Sequence, residues 1–223
     1  TNGNNTNGNW KLSMVDGMMG IAVFTEDRAL FNSAVSIWKQ FVPAYFYNHD
    51  LDKGKPITFA TGPNTWNGQT KFDANTNGVS QETCRDTQHF GLGLAATLNA
   101  AETGFIQGND LYAFEQKRLI GALEYHSRLL MGAGASTAPP ATGVPQGFPG
   151  LCTGAYNRVV LVTKGTMERA YSAYHGRMGI ALPNTLSHLA KDVRPLTRSA
   201  VGVANDGHAV IWETLTHGGS LQK

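Results

Sequence analysis

Gln81-Glu-Thr-Cys-Arg-Asp-Thr-Gln-His89 holds the densest set of reactive side chains in this sequence. Glu82, Arg85, Asp86 and His89 are spaced three and four apart, so on a helix they share one stripe. Two carboxylates, a guanidinium and an imidazole side by side can move a proton or hold an anion. Gly93 and Ala96 continue the stripe with almost no side chain, which suits the wall of a polar cleft. Phe90, Leu94, Leu98 and Ala101 form a second, apolar stripe for packing. The same residues also fit a capping and ion-pair network at the start of a buried helix, and spacing alone leaves both readings open. Glu82, Asp86 and His89 do not have the spacing of a zinc motif, and Arg85 among them opposes a cation. No metal or other cofactor is expected.

The elements that must carry this stretch read as helices. Thr1 to Asn9 is a flexible lead-in, rich in Asn, Gly and Thr. A helix is predicted from about Trp10 to Phe24, then a turn and cap at Thr25 to Asp27. A second helix carries Leu30, Phe31, Ala34, Ile37, Trp38, Phe41 and Val42, with Pro43 near its end. A joint this short makes the pair an antiparallel hairpin. Asn48 to Ser80 lacks periodicity but contains Trp66, Asn67, Gln69 and Phe72, as functional loops do. The central helix runs from Glu82 to about Ala101. Asn109-Asp110 caps another, with Leu111, Phe114, Leu119, Leu123 and Leu130 inward and Glu115, Lys117 and Arg118 mostly outward. Residues 132–150 are a Pro/Gly insertion loop. A further helix spans about Asn157 to Gly179. On it Glu168, Tyr171, His175 and Met178 share a face, with Tyr174 beside Tyr171 and Arg177 further round. Pro183-Asn-Thr185 restarts the chain, Arg194-Pro195 breaks it, and His208 to Leu215 reads as helix or strand. No strand alternation is sustained. The expected fold is one all-α domain over residues 1–223, with antiparallel helix hairpins curling into an α/α toroid. Fewer hairpins are countable than a closed ring needs, so a partial toroid or a fragment is expected.

Composition narrows the partners. The chain has 223 residues, 41% of them apolar, enough for one large domain. Charged residues are 15%, against about 25% in an ordinary globular chain. A net charge of +2 argues against nucleic acid, so an anionic ligand must be held by local groups. No apolar run is long enough to cross a bilayer. Cys84 and Cys152 read either as one disulfide, as in secreted chains, or as two buried thiols. Asn4-Asn5-Thr6 fits a glycosylation sequon. The chain opens without Met or a signal-like stretch and reads as mature or trimmed. A secreted protein with no membrane partner is expected; the oligomeric state is not legible.

Several marks in order resemble the alginate-lyase-like domain. They are Asn9-Trp10, Gln81-Glu82-Thr-Cys-Arg85-Asp86-Thr-Gln88-His89, Glu124-Tyr125, Glu168-x-x-Tyr171-x-x-Tyr174-x-x-Arg177-x-Gly179, Leu182-Pro183 and Arg194-Pro195. The resemblance covers most of the chain from Asn9 onward and points to helical-toroid lyases acting on alginate or glucuronan. This chain differs in being short at its N-terminal side and in carrying the 132–150 insertion. The resemblance implies β-elimination on an acidic polysaccharide. A uronate C5 proton is weakly acidic, so the reaction needs a group to neutralise the carboxylate, a base for the proton and an acid for the departing O4. His89 is then the neutraliser or the base, supported by Glu82 and Asp86. Tyr171 is the acid, and the base too where both atoms lie on one side of the ring; Tyr174 is the alternative. Arg85, Arg169 and Arg177 are candidate cations. Asn9, Asn67 and Gln69 are candidate donors to the substrate, and Trp66 a surface for a sugar face. A non-catalytic carbohydrate-binding or interaction protein on the same scaffold is the competing class. A hydrolase fits poorly, because Glu82 and Asp86 lie one turn apart rather than across a sugar bond.

Overall fold

Apolar residues recur at helical spacing from Leu12 to Ala22, and that run folds as α1 (Gly8–Phe24), burying Leu12, Val15, Met19 and Ala22. The computed structural model describes residues 8–58, 65–132, 151–152 and 166–194. Helix α2 (Arg28–Tyr45) starts where Asp27 accepts a hydrogen bond from the Leu30 N–H at 2.9 Å. It buries Phe31, Ala34, Trp38, Val42 and Tyr45 along one stripe. Pro43 sits in its last turn, where the helix is about to end. Helix α3 (Thr87–Ile106) packs on both members of this hairpin. It runs parallel to α1. Near its start Gln81 takes the Gly8 N–H, in its middle Asn99 donates to Asp16 at 3.3 Å, and past its end Gln107 shares a cleft with Ala22 and Val23. The Trp38 indole donates to the Thr97 carbonyl at 3.1 Å and fixes α2 against α3.

Asp110 caps α4 (Leu111–Phe114) through the Ala113 N–H at 2.9 Å. The chain kinks at Glu115 and continues as α5 (Gln116–Gly132). The kink reverses two expectations. Phe114 is exposed under Lys39, whereas Arg118 is buried. The Arg118 guanidinium grips Asp52 at 2.8 and 2.7 Å and donates to the Phe46 carbonyl at 2.6 Å. A charge taken out of water must be matched in this way, so the 48–54 loop folds onto α5. Helix α6 (Thr166–Tyr171) packs on α3 and runs into a π-helical turn, Ser172–Arg177. Helix α7 (Pro183–His188) begins with proline, and the Glu124 carboxylate of α5 accepts from the N–H groups of Asn184 and Thr185. A second π-helical turn, Leu189–Val193, leads to Arg194.

The described residues are all-α; their only strand-like pairings are the isolated bridges Phe46–Ser80 and Gln69–Cys152. Helix has already begun at Gly8, inside the expected 1–9 lead-in. Residues 1–7, the insertion after Gly132, the 157–165 part of the expected helix and the 208–215 segment lie outside the described residues.

Cys84 and Cys152 form a disulfide across a separation of 68 residues. Closing a loop of that length removes about 4 kcal/mol of chain entropy from the unfolded state. The Cys84→Ser/Cys152→Ser variant should therefore melt roughly 8–16 °C lower than the parent by circular dichroism. An unchanged midpoint would show that the link adds nothing to stability.

Candidate active site

The residues 81–85 are consecutive turns, not helix: the Thr83 N–H reaches Ser80 at 3.0 Å and the Arg85 N–H reaches Glu82 at 2.9 Å. Asp86 follows in extended conformation and caps α3, accepting from the His89 N–H at 2.7 Å. The helix thus begins at Thr87, five residues later than expected. The four polar residues are gathered by a turn and a cap, not by one helix face. They still meet. Asp86 also accepts from His89 Nδ1, with its two oxygens at 2.8 and 2.6 Å. A carboxylate on Nδ1 selects the tautomer with its proton there, which leaves the Nε2 lone pair outward. Nε2 has no partner among the described residues, and the imidazole is 28% exposed.

Glu82 is buried behind this pair. Its Oε2 accepts from Asn67 Nδ2 at 3.0 Å and faces Arg85 Nη1 at 3.5 Å; its Oε1 has no partner among the described residues. Burial pushes the Glu82 carboxyl up, while Arg85 and His89 pull it down. Asn67 is placed by an Asn-Gly turn: Asn67 and Gly68 both have positive φ, and the Gln69 N–H closes the turn on Trp66 at 2.9 Å. The same amide donates to the Gln81 carbonyl at 2.9 Å.

The turn is pinned from beneath. Thr83 Oγ1 accepts from the Ser80 N–H at 2.7 Å and donates to His126 Nε2 at 3.0 Å. His126 Nδ1 donates to the Ala122 carbonyl at 2.8 Å, and the ring stacks on Phe90 at 4.3 Å. Burial lowers the His126 pKa to about 4, so the ring is neutral and can accept from Thr83. The Cys84–Cys152 bond holds the turn from the side. Gln69, buried at that end, has its carbonyl oxygen 3.6 Å from the Cys84 sulfur and donates to the Lys71 carbonyl.

Gly93 and Ala96 do not leave a space beside His89. Ala96 is buried, and a Cβ on Gly93 would stand 2.1 Å from the Tyr45 hydroxyl. Glycine is needed there for Tyr45, which the sequence reading missed. Its only signal was a phenol at the end of the buried α2 stripe. The Tyr45 hydroxyl is buried and has no hydrogen-bond partner of good geometry among the described residues, and Ser80 beside it favours the ionised form. Burial and then the Glu82 charge push this phenol well above its ordinary range. Gly8 lies against the Tyr45 ring, and Asn9 follows it, buried, with Oδ1 on the Trp10 N–H and Nδ2 unpartnered.

The structure thus assembles Asn67, Glu82, Arg85, Asp86 and His89, with Tyr45 and Asn9 behind them. Four expected residues, Tyr174, Arg177, Tyr171 and Arg169, have their partners outside this group. The Tyr174 hydroxyl donates to the Tyr112 carbonyl at 3.0 Å inside the core. Arg177 pairs with Glu102 at 2.9 Å and covers Phe105; Glu102 is about 20 Å along α3 from His89. Tyr171 is buried, stacked on His175 at 4.9 Å, with Arg194 over its ring. Arg194 in turn grips Glu168 at 2.6 and 3.0 Å. Burial pushes the Tyr171 phenol up and Arg194 opposes this. The charged groups acting on Tyr171, Arg194 and Glu168, are different from those around His89. Arg169 reaches Asn99, whose amide meets Asp16, and burial raises the Asp16 carboxyl to about 6. Trp66 stands edge-on to Phe72 at 4.9 Å, partly buried, rather than flat to solvent. No three His, Cys, Asp or Glu side chains are grouped to hold a metal among the described residues.

His126 has a folded pKa below its ordinary 6.5, so its contribution to stability is full above pH 6.5 and lost as the pH falls towards 4. The loss is of order 3 kcal/mol. Urea unfolding at pH 7 and pH 4 should show it, and His126→Leu, though weaker at pH 7, should lose less on acidification. An equal loss in both proteins would assign the acid sensitivity to other groups. No protein-family model, curated protein or solved structure matches this chain.

Proposed function

We propose that this protein is a polysaccharide lyase that cleaves a uronate-containing polymer, of alginate or glucuronan type, by β-elimination. The observation that carries the reading is the Asp86–His89 pair: a partly exposed imidazole with its Nδ1 proton fixed by the carboxylate and its Nε2 without a partner among the described residues, beside a partly exposed Arg85. In this reading Arg85 meets the uronate carboxylate and stabilises the charge that spreads into it. His89 Nε2 takes the C5 proton, and Asp86 stabilises the imidazolium that results. The C4–O4 bond breaks as the C4–C5 double bond forms, and O4 leaves with a proton from an acid. Tyr171 is the acid of this proposal: its raised phenol is protonated at neutral pH, and donation to O4 requires that it be uncovered from its buried position. Buried Glu82, held by Asn67, fixes Arg85; Asn9 and Gln69, both buried, are the remaining donors of the proposal.

The helix hairpins are read here as part of an α/α toroid, and the disulfide supports a secreted protein. No helix among the described residues is long and apolar enough to cross a membrane. A second reading, carbohydrate binding without cleavage, is favoured by one observation: Tyr171 and Tyr174 are both buried with partners of their own.

The test is a panel of defined uronate polymers followed by absorbance of the unsaturated product. His89→Ala should lower turnover at least about 100-fold, in the range of a lost general base. Tyr171→Phe should do the same, and both variants should keep the parent's circular dichroism. Full activity in Tyr171→Phe with loss in Tyr45→Phe would move the acid to Tyr45. Polymer binding with no product from the parent protein would establish the second reading.

A further inference from the structure

Helix α1 is apolar on both sides. Its inward stripe is Leu12, Val15, Met19 and Ala22. Its outward stripe is Trp10, Met14, Gly17, Ile21 and Phe24, spaced four, three, four and three, which is the seam of a paired helix. None of these five carries a charge. Trp10 and Ile21 are each 59% exposed and Phe24 is 90% exposed. A contiguous exposed apolar stripe of this kind marks an interaction surface. Gly17 and Gly20 add an independent observation. Glycine weakens a helix interior, yet a Cβ at either position would meet nothing within 4 Å. Packing among the described residues gives no reason for glycine there; the close approach of a second backbone does.

We propose that this face is a self-association surface, on which a second copy of the chain lays its own α1 antiparallel across Gly17. The stripe is self-complementary in that orientation. Trp10 and Phe24 stand one heptad to either side of Gly17, about 10 Å each way, so each bulky end meets the bulky end of the other copy while the glycines cross. A two-fold axis through the crossing makes the contact isologous and closed, so association stops at two. The two aromatics, with Met14 and Ile21, offer roughly 500 Å² per copy, since an aromatic buries about 150–250 Å². A standard interface takes about 800 Å² per partner. The dimer is therefore reversible, with a dissociation constant in the micromolar range, and each copy folds alone.

Sedimentation equilibrium of the whole protein from about 1 µM to 1 mM tests this; the range brackets the micromolar constant. A monomer–dimer equilibrium is expected. Gly17→Gln should weaken association at least tenfold, yet melt no lower than the parent, because a side chain there has open space in the monomer. Phe24→Glu should weaken association similarly. Gly17→Cys should crosslink to itself under mild oxidation. A protein that stays monomeric up to 1 mM overturns the proposal, as would cover of α1 by another segment of the chain. A dimer that persists in both Gly17→Gln and Phe24→Glu, or growth beyond two copies, overturns it as well.

Discussion

A single carboxylate fixes both the backbone and the chemistry at the start of α3. Asp86 accepts from the His89 N–H, which begins the helix, and from the His89 ring, which sets its tautomer. The two bonds cannot be separated. A capping residue that bonds only the backbone leaves the imidazole to rotate; a carboxylate elsewhere on the ring leaves the helix uncapped. The choice between a capping network and a reactive cluster is therefore no choice here, because one side chain is both.

Everything around Asp86 serves to hold the preceding turn still. Residues 81–85 lack the regular ladder of a helix, so their shape has to come from outside. Thr83 is held by buried His126, Cys84 by Cys152 and Glu82 by Asn67. These anchors come from α5, from the 151–152 segment and from the 65–69 turn, three distant parts of the chain. A site built this way is preorganised by tertiary contacts, and its geometry depends on the whole fold rather than on one element. The neutral state of His126 is part of the same arrangement, since a ring that must accept a hydrogen bond cannot carry a second proton.

Local patterns were the legible part of this fold. The α1–α2 hairpin, the caps at Asp27 and Asp110, the apolar stripe of α3 and the proline start of α7 all follow from spacing and cap chemistry. The start of α3 was misread because Gln81 to Arg85 contains neither Gly nor Pro, and its polar residues mimic helical spacing. The cap signal at Asp86 was present but outweighed by that spacing. Arg118 was misplaced because its partner, Asp52, lies far back in the sequence and no local pattern announces it. Tyr45 was missed for a similar reason: its significance comes from Gly93, which makes room for its hydroxyl. Tyr174 and Arg177 follow a helical pattern that says they lie on one element, not which end of α3 they reach.

The parallel course of α1 and α3 has an electrostatic consequence. Aligned peptide dipoles give each helix a partial positive charge at its beginning, and here both beginnings lie at the same end of the molecule. At α3 that charge is answered by Asp86. The first turn of α1 contains no acidic residue to answer it. There the Gly8 N–H is met by the neutral Gln81 side-chain oxygen, so one pole gathers two helix beginnings but sets a full charge against only one of them.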